Sequence, residues 1–371
     1  MTQVIPLAEP LLPPECADAV GEVVRSTFIG PGKRTATFEA SLAGVCGTEA
    51  AVATVSGTVA LGVAARALGL EPGDTVVVPA YGVISVPNGF AAEGFHVRPV
   101  DVDLVTATMD ASALDAALDS VSGRCAVCMV DFSGYVGPAL EEILSVARRR
   151  SVPVIEDAAC ALGSAAGSLR AGSLGDVAIT SFSVPKVVTT GQGGALLGSN
   201  SVVDRARAWI DQGDLEWRST GLNGGIGTNL RFTDLQASLG QPQVDLLAER
   251  LARRRGVHEA LRSVLGPALW EIPGETPPLH NIIFADDPAA LVSALRADGI
   301  LAVRQYQTLG RHPAYAHLSV DSFPSSDWWS DHAVFLPFGT ALDVSDAGRI
   351  ADAVRSAGGV IEAPIPGGVP T

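Results

Sequence analysis

The chain has 371 residues, 47% of them hydrophobic, with a mean hydropathy of +0.30 and a formal net charge of −15 at pH 7. A chain of this length can bury a large core and can divide into two domains. Its negative charge opposes non-specific attraction to phosphate backbones and anionic lipids, so we expect neither nucleic acid nor membrane as a partner. No apolar run approaches the ~20 residues of a membrane span, and no basic start precedes an apolar core. These features favour a cytoplasmic protein.

The N-terminal region is Pro-rich and predicts a helix near residues 16–26, followed by a Gly-Pro-Gly turn at 30–32. That turn is followed by Lys33 and Arg34, which an anionic substrate could contact. A nucleotide phosphate loop is not indicated, because Thr27 stands where the motif requires its first glycine.

From residue 51 onward, apolar runs alternate with amphipathic segments. The predicted strands cover residues 51–55, 75–79, 96–102, 124–131, 152–157, 177–182 and 194–197. Continuous Val/Ile runs between helices indicate strands buried on both faces, hence a mostly parallel central sheet in an α/β fold. After a helical, Arg-rich connection, a strand-helix-strand pattern follows from 281 to 350. We therefore predict a large domain over 1–245, including an N-terminal arm, and a smaller C-terminal α/β domain over 246–371.

A single lysine, Lys186, follows one of these strands in a turn flanked by proline and glycines. The only other lysine is Lys33, so arginine supplies nearly all of the positive charge. Unlike guanidinium, a lysine amine can lose its proton and form a Schiff base. This pattern favours Lys186 as a nucleophilic amine, although a solvated turn residue is the simpler alternative.

Two further segments stand at predicted strand ends, where ligands bind in parallel sheets. Ser56-Gly57-Thr58 opens a helix, whose free N–H groups can hold an anion, or it is a simple N-cap. Glu156 and Asp157 end an apolar run, and a buried carboxylate must be functional or paired. An amine, an anion site and an acid together are what pyridoxal phosphate requires.

Five cysteines are present, an odd number typical of a reducing compartment. Cys125 and Cys128 form a CxxC without a second pair or a histidine pair at zinc spacing. We expect no metal site, and we interpret these thiols as small buried hydrophobes.

The sequence resembles the DegT/DnrJ/EryC1/StrS family of pyridoxal-phosphate-dependent sugar aminotransferases over nearly its whole length. The landmarks that carry this resemblance appear in family order: Gly30-Pro31, Ser56-Gly57-Thr58, Pro72-Gly73-Asp74, Val130-Asp131-Phe132-Ser133-Gly134, Glu156-Asp157-Ala158-Ala159, Ser181-Phe182 with Lys186, Gly191-Gln192-Gly193-Gly194, Asn229-Leu230-Arg231-Phe232, and His312-Pro313-Ala314-Tyr315. The resemblance implies the fold type I architecture of pyridoxal-phosphate-dependent transferases, with a large cofactor-binding domain and a smaller C-terminal domain.

The resemblance also implies a role for each matching position. Lys186 would bond covalently to the cofactor and then transfer protons, while Asp157 would pair with the ring nitrogen and Ala159 would lie against one ring face. The remaining cofactor and substrate positions follow in the same way: Gly57, Thr58 and Ser181 for the phosphate, Asn229 from a second subunit, and Lys33, Arg231, Gln305 and Tyr306 for the substrate. A homodimer with shared active sites follows from the position of Asn229.

Three positions depart from the family pattern. Val83 replaces an aromatic ring that stacks on the cofactor, and Tyr81, two residues earlier, is a candidate substitute. Cys160 replaces a Gln or His near the cofactor hydroxyl, and Gln305 replaces a histidine ahead of Tyr306. A lost ring contact costs about 0.5–1.5 kcal/mol, too little to abolish cofactor binding.

The resemblance predicts an aminotransferase that takes an amino group from glutamate or glutamine and passes it to a keto group of a nucleotide-linked sugar or cyclitol. Two alternatives remain open. The same cofactor could support an elimination or carbon-carbon bond reaction, or the chain could be a cofactor-binding regulatory subunit.

Overall fold

The computed structural model describes residues 4–271, 277–318 and 322–365. Within them the α-helices are α1 (Pro14–Ser26), α2 (Lys33–Cys46), α3 (Gly57–Ala67), α4 (Ser85–Ala91), α5 (Ala111–Ser120), α6 (Pro138–Arg150), α7 (Asn200–Ile210), α8 (Trp217–Thr220), α9 (Asp234–Asp245), α10 (Leu247–Leu265), α11 (Pro288–Ala297), α12 (Pro324–His332) and α13 (Val344–Ala357). The strands are β1 (Ala50–Thr54), β2 (Thr75–Pro79), β3 (Tyr81–Gly82), β4 (His96–Val100), β5 (Cys125–Val130), β6 (Val154–Asp157), β7 (Ala165–Ala166), β8 (Leu169–Arg170), β9 (Val177–Ser181), β10 (Gly194–Gly198), β11 (Asn281–Ala285), β12 (Gln307–Thr308), β13 (Ala333–Leu336) and β14 (Val360–Ile361).

Seven of these strands form one central sheet in the order β1-β10-β9-β6-β5-β2-β4. Only β10 runs antiparallel to its neighbours β1 and β9, so the predicted mostly parallel α/β sheet is confirmed. Each predicted strand of this sheet is present, and the ends differ by at most two residues. The agreement follows from burial, since a strand covered on both faces carries a continuous apolar run.

Alternate residues of the sheet enter hydrophobic cores on opposite faces. In β2, Val76 and Val78 pack with helices α3, α4 and α7, whereas Val77 packs with α5 and α6 on the other face. Helices α2 and α9 cover the end of the sheet near β1 through the core residues Phe38 and Ala237. The sheet is therefore buried on both faces, and ligands can reach it only along the edge where the strands end.

A second, antiparallel sheet of order β13-β11-β14 lies in the C-terminal part. Its core joins Ile283 to residues of α10, α11 and α13, and Ile5 from the N-terminal segment also belongs to it. Helix α9 ends at Asp245 and α10 begins at Leu247, next to the predicted domain boundary. No helix in the described part of the chain is long and apolar enough to cross a membrane.

Candidate active site

A cavity of about 540 Å³ lies where the strands of the central sheet end. Strand register aligns Val130 with Asp157 and Asp157 with Ile179, so β5, β6 and β9 finish at the same edge. The predicted site residues that line this cavity are Gly57, Thr58, Val83, Asp157, Ala159, Ser181, Lys186, Gln305 and Tyr306.

A smaller compartment of about 70 Å³ adjoins this cavity and shares part of its wall. The predicted residues around it are Tyr81, Val83, Asp157, Ala159, Cys160, Lys186 and Tyr306. The chain thus brings together residues that lie up to 249 positions apart, as between Gly57 and Tyr306.

Lys186 reaches the cavity from the turn after β9. Its backbone N–H donates to the Ser183 carbonyl at 3.0 Å, which closes the turn that proline was expected to set. Its Nζ lies 3.1 Å from Cys160 Sγ, so the amine faces the cavity wall rather than bulk water. Lys186 therefore lies in the wall of the cavity, and its role as a nucleophilic amine stays a prediction.

The start of α3 forms the part of the cavity suited to an anion. Ser56 Oγ accepts a hydrogen bond from Val59 N at 3.3 Å, while the first N–H groups of a helix, here those of Gly57 and Thr58, have no intrahelical acceptor. A Cβ on Gly57 would stand 2.9 Å from Ser181 Cβ, and one on Gly194 would stand 2.6 Å from Gly57 N. Glycine is therefore needed for β9, β10 and the helix start to meet.

Asp157 is 4% exposed and accepts a hydrogen bond from Ala159 N at 2.9 Å. Burial raises the pKa of its carboxyl, and the Ala159 bond and the Lys186 charge oppose that rise. The adjacent Glu156 instead accepts hydrogen bonds from the N–H groups of residues 172, 174 and 175 at 2.5, 2.7 and 3.1 Å. The two acids therefore differ in role: Glu156 anchors a loop, and only Asp157 faces the larger cavity.

Three predicted site residues lie outside both cavities of the single chain. Lys33 is exposed at the start of α2, and Asn229 is exposed next to a backbone bridge with Asp211. Arg231 donates from Nη1 to Asp211 Oδ1 at 2.6 Å and lines a separate surface cavity. Their predicted contacts with cofactor or substrate are not made within one chain.

Tyr81, considered as a substitute for the missing stacking ring at position 83, is only 1% exposed. Its hydroxyl donates to the Gln305 carbonyl and accepts from Tyr306 N, both at 3.2 Å. Its ring packs against Phe132 and Trp329, with centroids 5.7 and 5.6 Å away. Tyr81 therefore fastens the Gln305–Tyr306 segment to strand β3, and its stacking role stays a prediction.

Two further residues around the cavities were given no role by the sequence. His280 lines both cavities, and its Nδ1 lies 3.1 Å from Ser133 Oγ. Burial, together with the charges of Lys186 and Arg254, holds the pKa of His280 well below its ordinary value. Asp131 lines the smaller compartment directly after β5, where the rule that ligands bind at strand ends could have found it. His280 had no such signal, because it precedes its strand.

The sheet, the cavity at its edge and the lysine within it are those of fold type I, an α/β class of transferases that use pyridoxal phosphate. The sequence profile of the DegT/DnrJ/EryC1/StrS aminotransferase family matches residues 12–355, and the chain belongs to that family. It is an aminotransferase, and aminotransferases of this family depend on pyridoxal phosphate.

Full-length relatives and a solved structure agree with this assignment. The chain is 30% identical to dTDP-4-dehydro-2,3,6-trideoxy-D-glucose 4-aminotransferase of Saccharopolyspora spinosa, covering 95% of this chain and 96% of that protein. It is also 30% identical to GDP-perosamine synthase of Caulobacter vibrioides, over 93% and 96% of the two chains. The crystal structure of the aminotransferase TlmJ from Streptoalloteichus hindustanus superposes with a TM-score of 0.86 at 30% identity, covering 95% of this chain and 98% of that one.

Proposed function

We propose that the 540 Å³ cavity binds pyridoxal phosphate. The observation that carries this proposal is that the Lys186 amine, the Asp157 carboxyl and the start of α3 all face one cavity. The glycine at position 57 keeps that helix start clear for a phosphate, since any side chain would collide with Ser181. The amine can bind the aldehyde of this cofactor, the acid can pair with its ring nitrogen, and the N–H donors can bind its phosphate.

Each residue then has a defined task. When bound, pyridoxal phosphate supplies an aldehyde and an electron-withdrawing ring. Lys186 would hold the aldehyde through its amine, and the same amine could move a proton to and from the substrate carbon. Asp157 would pair with the ring nitrogen, while the N–H groups of Gly57 and Thr58 and the Ser181 hydroxyl would hold the phosphate.

We propose glutamate or glutamine as the amino donor and a keto group of a nucleotide-linked sugar or cyclitol as the acceptor. The names of the two full-length relatives support this choice, because one describes a dTDP-sugar 4-aminotransferase and the other a GDP-perosamine synthase. Free cysteines at all five positions are consistent with a cytoplasmic enzyme.

We further propose a homodimer in which Asn229 completes the partner's site. The surface around Asn229 is unusually apolar: Leu222 is 76% exposed, Ile226 is 86% exposed, and Phe28 is 60% exposed. Pro31, Leu215 and Arg231 line one surface cavity, so the segments 28–31 and 211–231 form a continuous face. An exposed apolar face of this kind is typical of a protein–protein interface.

Absorbance spectroscopy tests the cofactor proposal. The wild-type protein with pyridoxal phosphate should absorb near the visible edge as the lysine–cofactor adduct, and glutamate or glutamine should bleach that band. Lys186→Ala should abolish the band while circular dichroism stays unchanged. Lys33→Ala is the matched control, because it removes the only other lysine.

The remaining outcomes decide between the alternatives. A band that forms but ignores every amino donor would favour elimination or carbon-carbon bond chemistry, or a regulatory subunit. A band that survives in Lys186→Ala and vanishes in Lys33→Ala would transfer the role to the other lysine and refute our assignment of the site.

A further inference from the structure

His280 stands where the C-terminal part of the chain meets the central sheet. It directly precedes β11, is 3% exposed and lines both cavities of the site. Its backbone N–H donates to Ser133 Oγ at 2.9 Å, and the backbone N–H of Leu279 donates to the Ser133 carbonyl at 2.5 Å. Ser133, in the loop after β5, therefore holds the imidazole ring at the cavity wall.

The contact with Ser133 also fixes which ring nitrogen carries the proton. His280 Nδ1 lies 3.1 Å from Ser133 Oγ, an oxygen that already accepts the His280 backbone N–H. Among the residues that the structure describes, Nδ1 is the only hydrogen-bond acceptor for the Ser133 hydroxyl. Because a buried hydroxyl that donates to nothing is costly, the Ser133 hydroxyl donates to Nδ1. The proton of the neutral ring is therefore on Nε2.

The imidazole ring is held in place by three aromatic side chains. It packs edge to face with Phe338, Phe335 and Tyr306, with ring centroids 4.6, 5.2 and 6.4 Å away. Within the described ranges no residue forms a hydrogen bond with His280 Nε2. The ring thus offers a neutral N–H donor in fixed orientation to a ligand in the cavity.

The covalent structure of pyridoxal phosphate indicates which cofactor atom would meet this donor. Its phosphate arm and its hydroxyl group are attached to the ring on opposite sides of the aldehyde carbon. Gly57 and Ser181, at the proposed phosphate position, line only the larger cavity, whereas Lys186 and Asp157 line both. With the aldehyde at the amine and the ring nitrogen at the acid, the hydroxyl edge of the ring would face the smaller compartment, whose wall includes His280.

We propose that His280 is a cofactor-binding residue whose Nε2–H donates a hydrogen bond to the hydroxyl oxygen of pyridoxal phosphate. The proposal rests on the function proposed above. It supplies the hydrogen bond for which Cys160, in the same compartment, is poorly suited, because a thiol is only a weak donor. In the lysine–cofactor adduct this oxygen is ionised, and its negative charge stabilises the proton on the adduct nitrogen. A donor that shares this charge makes the adduct lose its proton at lower pH.

Two amide variants of the full-length protein separate the donor from the contact with Ser133. The amide nitrogen of glutamine can take the place of Nε2, and that of asparagine the place of Nδ1. In absorbance titrations with pyridoxal phosphate, His280→Asn should bind about tenfold more weakly, and the pH midpoint of its adduct absorbance should rise by about one unit. His280→Gln keeps the donor and should stay within about threefold of the wild type. Equal behaviour of the two variants, or an unchanged midpoint in His280→Asn, would overturn the proposal.

Nitrogen NMR of the ¹⁵N-histidine-labelled wild type tests the tautomer independently of the variants. The chain has six histidines, and the signal that His280→Asn lacks identifies His280. At neutral pH its Nε2 should be protonated and its Nδ1 unprotonated, and pyridoxal phosphate should shift the Nε2 resonance. A proton on Nδ1, or an Nε2 resonance that the bound cofactor leaves unchanged, would refute the role of His280 alone. A wild type that forms no adduct would refute the proposed function as well.

Discussion

At the scale of single residues, the unusual feature of the site is the thiol that faces the lysine. Lys186 Nζ and Cys160 Sγ are 3.1 Å apart, and sulfur is a weak hydrogen-bond acceptor. The amine is therefore held loosely and can leave Cys160 when a ligand enters. The resemblance places an amide or imidazole at this position, next to the cofactor hydroxyl, and either is a stronger partner than a thiol.

Replacing Cys160 by glutamine should strengthen pyridoxal phosphate binding about five- to tenfold, because an amide N–H adds roughly one net hydrogen bond. Absorbance titration of the apoprotein measures this dissociation constant. Cys160→Ala is the control and should change binding by less than about threefold, since it removes only a weak donor. Weaker binding by the glutamine variant than by the alanine variant would show that the site does not accommodate the larger side chain.

Asp131 should make stability depend on pH. Its pKa is raised in the folded protein, so between the ordinary value of about 4 and the raised value the folded state keeps a proton that the unfolded chain loses. Its contribution to stability is present in full at low pH and is lost as the pH rises through this window. The free energy of unfolding of the wild type, relative to Asp131→Asn, should therefore fall by up to about 1.4 kcal/mol per pH unit.

Urea unfolding of both proteins at several values from about pH 5 to about pH 8 measures this slope. A difference between the two proteins that stays constant over the range would mean that Asp131 is ionised in the folded state.

At the scale of elements, the anion site depends on how closely three segments approach each other. The start of α3, the end of β9 and the start of β10 meet through Gly57, Ser181 and Gly194. The sequence predicted the two strands from their apolar runs and the helix start from Ser56-Gly57-Thr58. The sequence did not predict that these three segments meet, because their contact depends on the antiparallel strand β10. That strand lies between β1 and β9, which are far apart in the sequence.

Gly194→Ala should weaken cofactor binding and reduce stability by about 1–3 kcal/mol, as expected for overpacking. The added Cβ would stand 2.6 Å from backbone atoms of Ser56 and Gly57, so the helix start must move. Calorimetry and cofactor titration measure the two effects.

The control for this substitution is Gly44→Ala in the exposed middle of α2, where an added Cβ meets no atom within 4 Å. That variant should bind the cofactor normally and gain up to about 1 kcal/mol, because alanine has the higher helix propensity. If Gly194→Ala and Gly44→Ala have the same stability and the same cofactor affinity, the close approach at Gly194 is not required for cofactor binding.

At the scale of the whole molecule, the apolar face formed by segments 28–31 and 211–231 is exposed in the single chain, with Phe28, Leu222 and Ile226 at its surface. Asn229 lies on this face and, among the residues that the structure describes, is not one of those that line the cavity. A twofold interface would place the same face of a partner against it. The proposed dimer therefore accounts both for the exposed apolar residues and for the distant predicted ligand.

Subunit mixing tests the shared site. Lys186→Ala and Asn229→Ala homodimers should each be inactive or nearly so, because every site lacks one residue. After dissociation and reassociation of an equal mixture, about a quarter of the wild-type activity should return, since half of the dimers then contain one intact site. No recovery, with mixed dimers shown by mass spectrometry, would mean that Asn229 serves the site of its own chain or none.

The sequence by itself determined the α/β class, the strands of the central sheet and the residues that face its edge. The strands were predictable because a strand buried on both faces has a continuous apolar sequence. The site residues were predictable because ligands of parallel sheets contact the residues that directly follow each strand. Lys186, Asp157 and the Ser56–Thr58 segment were found from these local signals.

Tertiary structure alone decided which groups touch. Examples are the burial of Asp131 and of His280, and the hydrogen bonds that join Tyr81 to residues 305 and 306, which lie 224 and 225 positions further along the chain. Such contacts leave no local pattern, because they depend on how neighbouring strands and the C-terminal part pack. Charge state follows from that packing, since burial and the few donors within reach decide where each proton stays.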